Sequence, residues 1–260
     1  MVLFGLVVRV LYIIVAHSYR FALFDWSVFE MANLARSLAT GHGFSAPYGV
    51  DFGPSALTPP IYPWVVSLAF RAFGVFSNGA GFAMLVFNSI FSALTSWTIY
   101  RIARRVFNET VAVWAGWVWA LLPYAIYYSV DWIWETSLSA FLLSLLFMLT
   151  LEMEGDGGLL WWSGYGLLWG IAALTNTAVI SFLPFSGCWL AYQLHRHGKR
   201  FLVPVMFSAA VFWMTLMPWL EQFKNYCSRA STGRAALQRR VPADPSPPSR
   251  LQPAAPRLHK

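Results

Sequence analysis

Charge is what this sequence has least of. Only 11% of its 260 residues are Asp, Glu, Lys or Arg, where a soluble domain carries about a quarter. So little polar surface cannot cover a globule in water, which excludes an ordinary soluble enzyme and makes lipid the solvent. Cysteine is nearly absent too. Cys188 and Cys227 are far apart and form no Cys-x-x-Cys pair, so no thiol metal site or disulfide framework follows from them. Cys188, inside an apolar run, reads as a small packing residue. Acidic residues are scarcer than basic ones, leaving a formal charge of +7. That excess reads as loop charge and implies no nucleic-acid partner, because no groove of interleaved basic and aromatic residues accompanies it. His195 and His197, on either side of Arg196, read as solvated groups of a short loop.

What remains is apolar (58%) and rich in aromatic rings (18%). Runs at 2–17, 81–103, 111–128, 132–151, 159–175, 177–194 and 201–219 predict an all-α integral membrane fold of about seven transmembrane helices. The pair at 159–175 and 177–194 reads as a helical hairpin with its tip near Asn176. Arg9 lies in the middle of the first run, and no small-residue cleavage site follows, which argues against a signal peptide. A charge at the centre of a span costs roughly 2.5–3.5 kcal/mol, so Arg9 is expected to pair with a neighbouring helix. The basic stretches "RIARR" (Arg101, Arg104, Arg105) and "HRHGKR" (195–200) fall on one side when the spans alternate, which makes that side cytoplasmic. The loop 18–80, the Asp131/Glu135 turn and Asn176 then face the opposite, extracytoplasmic side of a multi-pass protein of the inner or plasma membrane.

The first outer loop holds the densest polar chemistry. In "DWSVFEMANLARSLATGHGF", Phe29, Ala32, Leu34 and Leu38 recur at helical spacing until Gly41 and Gly43 stop the pattern. This predicts an amphipathic helix on the membrane surface. "PPIYPWVVSLAFRAFG" (59–74) is short for a span and reads as a second interfacial or re-entrant helix. Asp25, Glu30, Asp51, Asp131 and Glu135 all map to this outer face. Clustered carboxylates there suit proton abstraction, or binding of a divalent metal, although no motif requires a cofactor. The ordinary preference of acidic residues for outer loops accounts for Glu30, Asp51 and Glu135. Asp25 differs: it joins the first span to the surface helix between Phe24 and Trp26, where desolvation can tune its pKa. The membrane domain is expected to end at 226. Residues 227–260 have no aromatic side chain and abound in Arg, Pro, Ala and Ser, the composition of a disordered tail. GC-rich DNA read in a shifted frame yields the same composition and is the favoured origin, which would make the chain a fragment of a longer membrane protein.

The order of elements over about residues 5–226 carries a resemblance: span, Asp25, the helix "FEMANLARSLATGHGF", then Pro59, Pro60, Tyr62 and Pro63 of "PPIYPW". It resembles the family 39 type glycosyltransferases of GT-C fold, which include the dolichyl-phosphate-mannose protein mannosyltransferases and bacterial aminoarabinose and lipopolysaccharide sugar transferases. The resemblance implies a GT-C-like bundle with two surface helices in the first outer loop. It implies an inverting transfer from a polyprenyl-phosphate or dolichyl-phosphate sugar to an extracytoplasmic acceptor, in a setting of membrane lipid. It also makes Asp25 the general base, with a second acidic position at Asp131 or Glu135. Where some relatives carry Lys or His before the Pro-Pro pair this chain has Thr58, so Arg36, His42 or Arg71 would have to meet the donor phosphate. "PWLEQFKNY" stands where relatives have Arg-Asn-Tyr after Pro-Trp. The competing readings are a polytopic transporter or flippase, which would place ionisable groups at mid-membrane in broken helices and show internal repeats, and a catalytically inactive truncated relative.

Overall fold

The computed structural model describes residues 1–20, 30–45, 55–56, 58–153, 158–196 and 202–240, giving the backbone course alone for 202 and 229–240. Its elements are helical, with no β-strand among the described residues. In chain order they are α1 (Val2–Ala16), α2 (Glu30–Ala39), α3 (Ile61–Phe73), α4 (Asn78–Val106), α5 (Glu109–Leu121), α6 (Pro123–Val130), α7 (Thr136–Glu152), α8 (Leu159–Thr175), a 3₁₀ segment (Thr177–Phe182), α9 (Leu183–Arg196) and α10 (Leu202–Arg240). Local chemistry sets the boundaries. Ser77, Asn108 and Asn176 each accept a backbone N–H of the helix that they open, which satisfies donors that a helix start leaves orphaned. The chain leaves α2 through Gly41 and Gly43 at φ 85° and 73°, a left-handed conformation that costs glycine little.

α4 is the hub. It packs against α1, α3, α5, α6 and α7. Its buried side is unusually polar: Asn88, Ser89, Ser92, Thr95, Ser96 and Thr98 are all buried. Small hydroxyl residues let neighbouring backbones approach closely in lipid. Thr95, Ser96 and Thr98 return their hydroxyls to carbonyls of the preceding turn at 2.6–2.9 Å, so burial leaves them satisfied. Thr98 also meets Ser144 of α7 at 2.6 Å. The apolar core lies to either side, from Tyr62, Val66 and Phe70 of α3 through Met84 and Leu85 to Leu142, Leu146, Trp162 and Trp169.

By length and composition three helical stretches could cross a membrane: 78–106, 177–196 and 203–228. A fourth is α5 with α6, bent by 45°. The other expected spans map onto α1, α7 and α8, whose 15–17 residues fall short of the ~20 that a hydrocarbon core asks for. The run 111–128 was expected as one helix. It is broken because Pro123 has no N–H to continue the ladder and Leu122 turns extended, at ψ 117°. Arg9 fills the notch. Its guanidinium donates to the Ala120 carbonyl at 2.9 Å, to the Gly5 carbonyl at 3.0 Å and to Ser129 Oγ at 3.2 Å, and the side chain is fully buried. The partner expected for Arg9 is therefore the carbonyl end of α5, not a carboxylate.

Two further expectations meet a different outcome. Cys188 does not pack; it and Cys227 are free and exposed. α10 runs on past Tyr226 to Arg240, because the Ala, Arg, Leu and Gln of 230–240 are good helix formers. Residues 241–260 lie outside the described part.

Candidate functional site

The Pro-Pro-Ile-Tyr-Pro element and the acidic turn meet at one end of the bundle. Pro59 and Pro60 lead into α3, whose fixed backbone suits a helix start. Tyr62 and Pro63, in its first turn, are buried. Tyr62 donates its phenol proton to Asn88 Oδ1 at 3.1 Å, and Asn88 Nδ2 donates to the Trp132 carbonyl at 2.9 Å. This relay ties α3 to α4 and to the turn 131–135 between α6 and α7. Asn88 was not among the residues singled out from sequence; its signal was a side-chain amide within a membrane helix, where such a group must find partners.

The turn places two carboxylates differently. Asp131 is half-buried and accepts a long hydrogen bond from Tyr12 of α1, 3.4 Å; burial nevertheless pushes its pKa up. Glu135, at the start of α7, is also raised by burial, only partly offset by its own backbone N–H and by the Trp134 side chain. Its Oε2 is buried with no hydrogen-bond partner among the described residues, and so is the hydroxyl of Thr58, just before the Pro-Pro pair. A carboxylate desolvated in this way takes up a proton more readily than one in water. Tyr124, Tyr127, Tyr128, Trp132 and Trp134 surround the turn with ring-to-ring contacts of 4.6–6.5 Å, the amphipathic girdle expected at a membrane–water boundary.

The remaining candidates sit on and beyond α2. That helix buries Met31, Leu34 and Ala35 and packs on α3, so its apolar face meets protein. Glu30 is half-buried in its first turn and Arg36 lies in its last, six residues or about 9 Å along the axis. Arg71 of α3 donates to the Leu38 carbonyl at 2.7 Å, a cation at the carbonyl end of α2, where the helix dipole favours it. His42 is exposed and pairs with Thr40 Oγ1 at 2.9 Å. The turn after α2 is held from the far end of the chain: Phe44 meets Trp219 edge to face at 5.1 Å. Gln222 Nε2 donates to the Ser55 carbonyl at 3.1 Å. The structure thus joins Pro59–Pro63, Asp131 and Glu135 around one relay, and places Arg36, His42 and Arg71 along α2 and its contact with α3. Asp25 and Asp51 lie outside the described residues. Among the described residues, no group of three or more His, Cys, Asp or Glu side chains is placed to hold a metal ion.

No curated protein and no solved structure matches the chain. A comparison with protein-family models does, over residues 58–221, to the dolichyl-phosphate-mannose-protein mannosyltransferases. The matched stretch begins at Thr58, takes in the relay and the acidic turn, and ends beside Gln222. The chain therefore belongs to the dolichyl-phosphate-mannose-protein mannosyltransferase family, a GT-C type family of membrane glycosyltransferases.

Proposed function

We propose that the chain transfers a sugar from a polyprenyl-phosphate or dolichyl-phosphate donor to an acceptor reaching it from the extracytoplasmic side, with inversion at the sugar's anomeric carbon. Asp25 is the general base in this reading. It takes the acceptor's proton as the acceptor oxygen or nitrogen bonds to C1, and the lipid phosphate leaves from the opposite face. A positioned base of this kind supplies about 10²–10⁴-fold in rate. The departing phosphate carries negative charge that needs fixed donors, for which Arg36, His42 and Arg71 are the candidates. Glu135, with an oxygen that no described residue occupies, and Asp131 are the supporting acids.

The observation that carries this reading is the relay Tyr62–Asn88–Trp132. It lies inside the family match and fixes the Pro-Pro-Ile-Tyr-Pro element against the acidic turn. The bent α5–α6 span is the one feature that the transporter reading would predict. There a freed carbonyl would line an ion path, but the Ala120 carbonyl is taken by Arg9. The test is sugar transfer from a radiolabelled polyprenyl-phosphate sugar in proteoliposomes. Asp25→Asn should lower turnover by at least about 10²-fold with donor binding retained; unchanged turnover would remove Asp25 as the base.

A further inference from the structure

Three side chains of α4 donate to backbone carbonyls in or just beyond α6. Ser92 reaches Ala125 and Ser89 reaches Ser129, both at 3.4 Å, and Asn88 reaches Trp132 at 2.9 Å. The serine contacts are long for hydroxyl hydrogen bonds, and their acceptors lie inside α6. The Asn88 contact differs from them. It is short, and its acceptor lies between the end of α6 and the start of α7, in the turn that carries Asp131 and Glu135. The same amide, fully buried, also accepts the Tyr62 phenol proton at 3.1 Å through its oxygen. A carboxamide offers an acceptor and a donor at fixed positions, whereas a leucine of similar size offers neither and a carboxylate cannot donate. Glu135 follows Trp132 by three residues and is near enough to the Tyr62 phenol to act on it electrostatically. The relay and the Glu135 carboxylate therefore share one neighbourhood.

We propose that Asn88 is a positioning residue for the transfer reaction. By holding the Trp132 carbonyl it sets where the turn presents the Glu135 carboxylate. By holding Tyr62 it ties that carboxylate to the Pro-Pro-Ile-Tyr-Pro element. Asn88 touches neither sugar nor acceptor in this role; it acts through Glu135. A group displaced by about 1 Å can lose about 10²-fold in rate, so a single bond to the backbone of the turn has a kinetic effect larger than its share of stability. The inference rests on the transfer reading above and names the residue that fixes the geometry of its acidic turn.

Steady-state transfer from a radiolabelled polyprenyl-phosphate sugar in proteoliposomes tests this, in a double-mutant cycle of Asn88→Ala and Glu135→Gln on the full chain. Asn88→Ala is expected to lower kcat at least about tenfold while the donor KM stays within about twofold. In the Glu135→Gln background the same change should cost less than about twofold, because the group that Asn88 positions is already gone. Equal losses in the two backgrounds overturn the proposal, since a purely structural role would remove the same factor from both. A raised KM with kcat unchanged overturns it too. If Asn88→Ala does not fold, Tyr62→Phe carries the same cycle with one hydroxyl removed, and is expected to lower kcat only where Glu135 is present. An unmutated chain that transfers no sugar would overturn the transfer reading and this proposal together. A transferring chain with equal losses in both backgrounds overturns this proposal alone.

Discussion

Arg9 illustrates what one charge requires inside an apolar bundle. Taking it to mid-span costs roughly 2.5–3.5 kcal/mol, while each hydrogen bond from a charged donor returns about 1.5–3 kcal/mol. Its three bonds, to Gly5, Ala120 and Ser129, offset that cost, while Nη2 is buried with no hydrogen-bond partner among the described residues. They depend on the planar fork of guanidinium, which a point-like ammonium cannot reproduce. Arg9→Lys should destabilise the chain by about 2–3 kcal/mol, read as a lowered midpoint of thermal unfolding in detergent. Glu135 presents the reverse case. Burial raises its pKa, so the folded chain binds that proton more tightly than the unfolded one. The stability contributed is present below the ordinary glutamate value of 4.5 and is lost as pH rises through the raised value. Glu135→Gln should flatten that decline: its melting temperature relative to the unmutated chain should increase with pH across this window and then level off. A difference that does not change with pH would refute the burial of Glu135. A residue kept at such a cost is a candidate for function. Sequence alone singled out Arg9, Asp131 and Glu135 as polar groups in an apolar chain. It did not supply their partners, because Ala120 lies 111 positions from Arg9 and the acceptor is a backbone carbonyl that every residue type offers.

At the level of the helix, apolar periodicity was a sufficient guide where the ends carry their own signals. α8 begins at Leu159 and ends at Thr175, and the chain turns at Asn176, whose side chain caps the next turn by accepting the Ala178 N–H at 2.9 Å; the expected hairpin partner α9 packs on α7 and the 3₁₀ segment, while α8 packs on α10. The break in α5–α6 was not recognised although Pro123 is plain in the sequence. Membrane helices often absorb a proline, and whether one bends depends on what satisfies the freed carbonyl. Helix pairing was legible only in part. Gly166 and Gly170 lie four apart on α8, the spacing of a close membrane crossing. A Cβ on Gly166 would overlap the Ser208 carbonyl of α10, and one on Gly170 would come within 2.6 Å of Thr215 Cβ. Gly164, on the same helix, has open space around it. Gly166→Ala should therefore cost about 1–3 kcal/mol through overpacking, while Gly164→Ala should leave the unfolding midpoint unchanged or slightly raised. Equal effects from the two would show that α8 and α10 do not pack through this face.

For the whole molecule, and setting aside Arg9 and the buried hydroxyls of α4, the described polar clusters lie at the two ends of the bundle. The relay, Asp131 and the α2–α3 loop lie at one end, and the arginines of α4 at the other. The positive-inside rule assigns the arginine end to the cytoplasm. Thr40 and Phe107, both exposed, report on the two ends. With Cys188 and Cys227 replaced by Ser, Thr40→Cys should react with a membrane-impermeant maleimide in intact cells, and Phe107→Cys only after permeabilisation. The reverse pattern would invert the topology and move the proposed transfer site to the cytoplasm. Helical class was readable from composition and run length. The convergence of that loop with α10 was not, because the Gln222–Ser55 bond joins residues 167 positions apart and no periodicity reaches so far.

That same bond bears on biosynthesis. A chain made from its N-terminus delivers the loop around Phe44 and Ser55 early, and delivers Trp219 and Gln222 only when α10 emerges. Until then the loop lacks one of its walls. The loop of the proposed transfer site thus gains this wall only once α10 has been made, and a nascent chain halted before α10 would display that loop without Trp219 and Gln222 beside it.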